Sequence, residues 1–151
     1  MASKKIYILL FFVFLLGGTS EAYSQCGQEL LELCYPKLGS YKYVNSFPVR
    51  IKKSKKGEPP SVMKQSMVLN SGTKYRFVVY NAEEFEGNLI VNIYNSSNLV
   101  GTSYDYSSGK TYESIDFDCK KPGVYYITFY FENGKDGCSI CLMGQKEWKA
   151  Q

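Results

Sequence analysis

The sequence predicts an all-β domain: an antiparallel, jelly-roll-like β-sandwich of about seven or eight strands, with a short N-terminal helix. From Ser61 onward, apolar and polar residues alternate with a period of two, which is typical of strands that bury one face. Turn residues such as the Asn-Ser-Gly at 70–72 separate the alternating segments at short intervals. Strands do not alternate with helices, and this argues against a parallel-sheet enzyme fold.

The helix is predicted in residues 27–38, GQELLELCYPKL, because four apolar side chains share one face. These are Leu30, Leu31, Leu33 and Cys34, and Pro36 with Gly39 would close the helix. The stretch RIKKSKKGEPP (50–60) follows, with five basic residues among its first seven and the Pro59-Pro60 pair at its end. We interpret this basic run as an exposed edge or loop whose lysines discourage pairing with other strands.

The strands are predicted from the alternating segments that follow. Their ranges are 63–69, 75–80, 89–94, 99–104, 115–119, 124–131 and 138–143. The chain therefore divides into a signal peptide (1–24), an N-terminal helix with a basic linker or edge segment (25–60), the sandwich core (61–144) and a polar tail (145–151).

The first residues predict export. Lys4 and Lys5 precede an apolar run of about 11 residues, and small residues follow up to Ser24, as in a secretory signal peptide. We expect cleavage after Ser24, which gives a secreted or periplasmic protein of 127 residues. We predict no membrane span in that mature chain, because the run before it is too short and none follows.

Charge and composition exclude several classes of function. Cleavage removes Lys4, Lys5 and Glu21 and changes the net charge from +4 to +3, which is too balanced to indicate a nucleic-acid partner. The chain contains no histidine, so Ser-His-Asp and Cys-His catalysis and imidazole zinc sites are excluded. We therefore expect no enzymatic activity and no cofactor.

The five cysteines, Cys26, Cys34, Cys119, Cys138 and Cys141, are disulfide candidates. Cys138 and Cys141 form a CxxC motif, but residues three apart on a strand lie ~10 Å apart and point to opposite faces. A disulfide needs Cα atoms within about 7 Å, so these two should not bond to each other. We favour a Cys119–Cys138 bridge, with Cys26 or Cys34 joined to Cys141 as a staple between the helix and the sheet.

Two segments carry a resemblance to a known family. They are YRFVVYNAEEFEGNLIVNIYNSSNLVGTSYDYSS (75–108) and KKPGVYYITFYF (120–131), the latter opening with Pro-Gly-Val-Tyr-Tyr. Together they resemble the bacterial pre-peptidase C-terminal domain and related small exported jelly rolls. The resemblance implies a non-catalytic module that assists secretion, stability or substrate attachment of secreted enzymes.

Tyrosine is abundant, with 14 residues, and it offers flat apolar area together with a hydroxyl. We therefore predict a binding or accessory module for a glycan, a peptide or an envelope protein, with Tyr104, Asp105 and Tyr106 as the contact loop. The alternative for the tyrosines is that their rings only cover a small core and its sheet edges.

Three other functions are considered. A redox protein could use the CxxC motif of Cys138 and Cys141. A structural or assembly protein of the cell envelope could act through a free cysteine or a sheet edge. A carboxylate-based hydrolase could use Asp116 and Asp118, which share an outward face about 7 Å apart. Calcium is the metal that such oxygen ligands would suit, although no sequential calcium-loop motif is present.

Overall fold

A computed structural model describes residues 26–147 of the 151-residue chain. The predicted signal peptide and the last four residues of the predicted tail, from Trp148, lie outside the described residues. Among residues 26–147, no helix is both long enough and apolar enough to cross a membrane.

The described residues form one α-helix, two short 3-10 helices and ten strands. Helix α1 spans Gln28–Cys34 and continues into a 3-10 helix at Tyr35–Leu38, and the second 3-10 helix is Glu132–Gly134. The strands are β1 (Lys42–Ile51), β2 (Met63–Leu69), β3 (Thr73–Asn81), β4 (Leu89–Asn95), β5 (Asn98–Thr102), β6 (Tyr104–Asp105), β7 (Lys110–Thr111), β8 (Ser114–Cys119), β9 (Gly123–Phe131) and β10 (Gly137–Glu147).

Eight of these strands build two four-stranded sheets. The first sheet has the order β1-β10-β3-β8 and the second the order β2-β9-β4-β5, and every pairing within them is antiparallel. The chain changes sheet at each of the steps from β1 to β4 and from β8 to β10, which is the path of a jelly roll. Strands β6 and β7 form a separate two-stranded ribbon. The predicted all-β sandwich is thus confirmed.

The main core lies between the two sheets and consists of the inward half of each alternating strand. In β9, Tyr125, Ile127, Phe129 and Phe131 are buried, while the residues between them are partly exposed. Burying a ring such as Phe129 completely contributes roughly 1.5–3 kcal/mol relative to leaving it in water. This burial holds the register of β9 and therefore decides which side chains face outward.

A second, smaller cluster covers the outer face of the first sheet. Leu30, Cys34 and Leu38 from the helical segment are buried against the outward residues of β3 and β10, among them Val78 and Leu142. The predicted apolar face of the helix is confirmed in part, because Leu33 is 54% exposed. Pro36 lies in the first turn of the 3-10 helix that begins at Tyr35, and Gly39 closes the helical segment as predicted.

The sandwich extends beyond its predicted bounds at both ends. Strand β1 lies in the segment predicted as a basic linker or edge, and it forms the edge of the first sheet by pairing with β10 along its length. Strand β10 continues to Glu147, so the first residues of the predicted polar tail belong to the sheet. The basic run is an exposed loop from Lys52 to Pro60, as predicted, but Arg50 and Ile51 still belong to β1.

Candidate functional site

A groove lies on the outer face of the second sheet, with a cavity volume of about 450 Å³. Ligand sites commonly have volumes of roughly 300–1,000 Å³. We call it the tyrosine groove, and it is lined by Val62, Lys64, Asn92, Tyr94, Ser96, Ser97, Tyr106, Tyr126, Thr128 and Tyr130.

The register of three strands arranges these side chains in rows. Tyr126 of β9 lies opposite Tyr94 of β4. Thr128, two residues on, lies opposite Asn92 on β4 and Lys64 on β2. Tyr130 comes two residues later still, roughly 14 Å from Tyr126 along the strand. The groove therefore has a polar centre between two aromatic ends.

Hydrogen bonds fix the polar centre. Thr102 Oγ1 donates to Asn92 Oδ1 at 2.6 Å, and Asn92 Nδ2 donates to the Tyr94 hydroxyl at 3.4 Å. Asn92 is only 3% exposed, so its amide needs these partners, and they hold it in one orientation. The Tyr94 hydroxyl retains its own proton for a ligand.

The aromatic ends present neutral hydroxyls and one positive charge. Burial, together with the nearby Tyr106, raises the pKa of Tyr130 to about 12, so this hydroxyl stays protonated and can both donate and accept. The Lys64 ammonium lies 4.1 Å from the centre of the Tyr126 ring, which is a cation–π contact.

The structure places the three predicted contact residues at one edge of this groove, with different environments. Tyr106 is 67% exposed and lines the groove, and Tyr104 packs edge-on against it with ring centres 5.0 Å apart. Asp105 orders the turn instead: its carboxylate accepts from the backbone and hydroxyl of Ser107 and from the Ser108 hydroxyl. These hydrogen bonds lower the pKa of Asp105 to about 2. A contact role for the three residues stays a prediction.

Sequence reasoning did not single out Tyr94, Tyr126 and Tyr130, which dominate the groove. The signal was available in the period-two pattern of β9, where Tyr126, Thr128 and Tyr130 alternate with the buried residues. Recognising it would have required knowing that β4 lies beside β9.

The disulfide in the structure contradicts one predicted cysteine pairing and agrees with a second prediction about the cysteines. Cys26 is bonded to Cys138, so the favoured Cys119–Cys138 bridge is wrong. The reason is orientation: Cys119 points into the core between the sheets, whereas Cys138 points to the opposite face, beneath the helical segment. Cys138 and Cys141 do not bond to each other, as predicted. A staple between the N-terminal segment and β10 does form, but through Cys138 rather than Cys141.

The unpaired cysteines of the described chain, Cys34, Cys119 and Cys141, are all fully buried. Burial raises the pKa of Cys34 to about 11 and also raises that of Cys141, which keeps both thiols protonated and unreactive. These thiols cannot reach a partner protein without local unfolding, so the free-cysteine route to assembly loses its support.

The outward carboxylates are engaged in ion pairs. Asp116 binds the Arg76 guanidinium through both oxygens, at 2.6 and 2.8 Å, and accepts from the Tyr41 hydroxyl. Asp118 lies 3.2 Å from the Lys74 ammonium. Within residues 26–147, no three Asp, Glu, Cys or His side chains cluster in a way that could hold a metal ion. The calcium hypothesis therefore has no candidate ligand set here.

Comparison of the chain with models of known protein families gives no match, and comparison with curated proteins gives none either. The proposals below therefore rest on the geometry of the chain itself.

Proposed function

We propose that this protein is an exported, non-catalytic binding module that holds an oligosaccharide in the tyrosine groove. The observation that carries the proposal is the arrangement of the groove, with tyrosine rings at both ends and oriented polar groups between them. A saccharide ring presents an apolar C–H face and a rim of hydroxyls, and these complement ring faces and amide or hydroxyl groups respectively.

The spacing favours an oligomer over a single sugar. Tyr126 and Tyr130 are separated by roughly 14 Å of strand, more than one saccharide ring spans. The walls are side chains of a hydrogen-bonded sheet, so the rings are held in place before the ligand binds and little conformational entropy is lost.

Export is supported by two features. The first 24 residues have the pattern of a signal peptide, and the Cys26–Cys138 disulfide fits an oxidising compartment. The resemblance of residues 75–108 and 120–131 to pre-peptidase C-terminal domains supports an accessory role, in which the module attaches a partner to its substrate.

The test is a binding measurement with a matched control. The purified mature protein is screened on a glycan array, and the best oligosaccharide is then titrated by calorimetry. We expect Tyr126→Ala to weaken binding roughly thirtyfold, or about 2 kcal/mol, as for the truncation of a principal aromatic contact. Tyr35→Ala removes an exposed ring on the helical segment and should leave affinity within about twofold. Failure of all saccharides to bind, or equal losses in both variants, would refute the proposal.

A further inference from the structure

The side chains that line the tyrosine groove carry a positive charge. Among the ten residues that line the groove, Lys64 is the charged side chain, and none is a carboxylate. Asp105, on the adjoining turn, has its oxygens turned to the hydroxyls of Ser107 and Ser108. A ligand in the groove therefore meets one ammonium and neutral hydroxyls and amides.

A second cavity, also about 450 Å³, is formed by the basic loop, residues 52–60. Three lysines line it, Lys53, Lys55 and Lys56, against a single carboxylate, Glu58. None of these lysines makes an ion pair within residues 26–147. Their charges are therefore available to a partner.

The basic loop is held in place. The Ser54 amide donates to the Gly134 carbonyl at 2.9 Å, and the Ser61 amide donates to Ser54 Oγ at 3.3 Å. A turn is closed by the Glu58 amide and the Lys55 carbonyl. Arg50 differs from these lysines because its guanidinium donates hydrogen bonds within the protein, to the carbonyls of Ile51 and Gly137.

The two cavities are neighbours along the chain. Pro60 lines the basic cavity, and Val62 lines the end of the groove. Two residues of extended chain span at most ~7 Å, so the lining of the basic cavity begins close to the Val62 end of the groove.

We propose that the ligand of the tyrosine groove is an anionic oligosaccharide, whose acidic groups bind Lys64 and the lysines of the basic loop. This inference rests on the proposed function and adds the chemical class of the ligand. Clustered, unpaired lysines also raise the local concentration of an anionic chain and accelerate its capture, in a salt-dependent way.

The experiment compares ligands that differ only in charge. An α-1,4-linked hexamer of galacturonic acid is titrated against its fully methyl-esterified form, and dextran sulfate against dextran of equal size. We expect the acidic member of at least one pair to bind about tenfold or more tightly at low salt. This advantage should shrink between about 0.02 and 0.5 M NaCl because the salt screens the charges.

Lysine variants then show which ammonium groups bind the acidic groups of the ligand. Lys64→Gln and the triple variant Lys53→Gln/Lys55→Gln/Lys56→Gln should each reduce the preference for the acidic ligand severalfold. Lys146→Gln is the matched control, since this strand lysine also lies over a tyrosine ring, Tyr41 at 4.4 Å, but belongs to the first sheet. It should retain the preference.

Equal affinity for charged and neutral forms, with Tyr126→Ala still weakening binding as proposed above, would overturn the anionic inference and leave the proposed function standing. Preference for the acid that survives both sets of lysine changes would overturn it as well. Binding of a glutamate hexapeptide in place of every saccharide would overturn both proposals.

Discussion

Removing the Cys26–Cys138 disulfide is expected to destabilise the domain severely. The bridge joins residues 112 apart, so it constrains most of the unfolded chain. For a loop of this length, the chain-entropy relation predicts that the bridge lowers the entropy of the unfolded chain by about 16 cal/mol/K, or about 5 kcal/mol at 25 °C. This is an upper value, since removal of native bridges typically costs about 2–5 kcal/mol.

The corresponding change in melting temperature follows from the size of the domain. Unfolding the 127 residues from 25 to 151 carries an entropy of about 270 cal/mol/K at the midpoint. A loss of about 2–5 kcal/mol therefore lowers Tm by roughly 8–18 °C. Part of the loss should be local, because the bridge anchors the chain just before α1 to the outer face of the first sheet.

The assay is thermal unfolding of the double variant Cys26→Ser/Cys138→Ala, followed by circular dichroism with and without a thiol reductant. Reductant should lower the Tm of the wild-type protein toward that of the variant and should leave the variant unchanged. Hydrogen exchange should accelerate in α1, while the amides of β4 and β9 stay protected. A variant within about 2 °C of the wild type would refute the reasoning, as would a peptide map that joins Cys138 to another cysteine.

Three further predictions concern the rest of the fold. The Arg76 guanidinium lowers the pKa of Asp116 in the folded state, so this ion pair stabilises the protein above pH ~4 and is lost as pH falls through the folded pKa. Asp116→Asn should lower the free energy of unfolding by no more than about 1 kcal/mol near neutral pH, and the variant should lose less stability than the wild type on acidification. Urea midpoints measured from pH 7 to pH 2 would show this. The same dependence of the midpoint on pH in both proteins would contradict it. The three unpaired cysteines should resist a disulfide reagent in the native protein and react fully in urea, and rapid native labelling would contradict their burial. Gly137→Ala should lower the free energy of unfolding by about 1–3 kcal/mol or more, because the added Cβ would overlap the buried Phe131 ring. An unchanged Tm would contradict this and show that the ring can move.

The strands could be predicted because their signal is local. Alternation places Tyr75, Phe77 and Val79 on the buried side of β3, and Gly72, at a φ of 71°, allows the turn before it. Strand β1 lacks that signal, because only Phe47 and Val49 of its ten residues are fully buried. A half-exposed edge strand cannot be told from a loop by its pattern alone.

The disulfide and the groove could not be predicted because both depend on which strands are neighbours. Alternation shows that Cys138 and Cys141 face opposite ways, but it does not show which face of β10 is covered by the helix. In the same way, the sequence marks Tyr126 as outward but does not place Tyr94 beside it. Both facts follow from the jelly-roll strand order, which alternation within single strands does not specify.

The structure places the tyrosines in two different environments. Tyr75 and Tyr125 are buried between the sheets and serve the core. Tyr94, Tyr126 and Tyr130 face outward and stay partly exposed, on the sheet opposite the one that the helical segment covers. Core packing accounts for the first pair, whereas the second set lies outside that core, where neighbouring rings can still stabilise the sheet as cross-strand pairs. A ligand that covers these outward rings is our proposal, and the Tyr126→Ala binding measurement decides between it and a purely structural role for them.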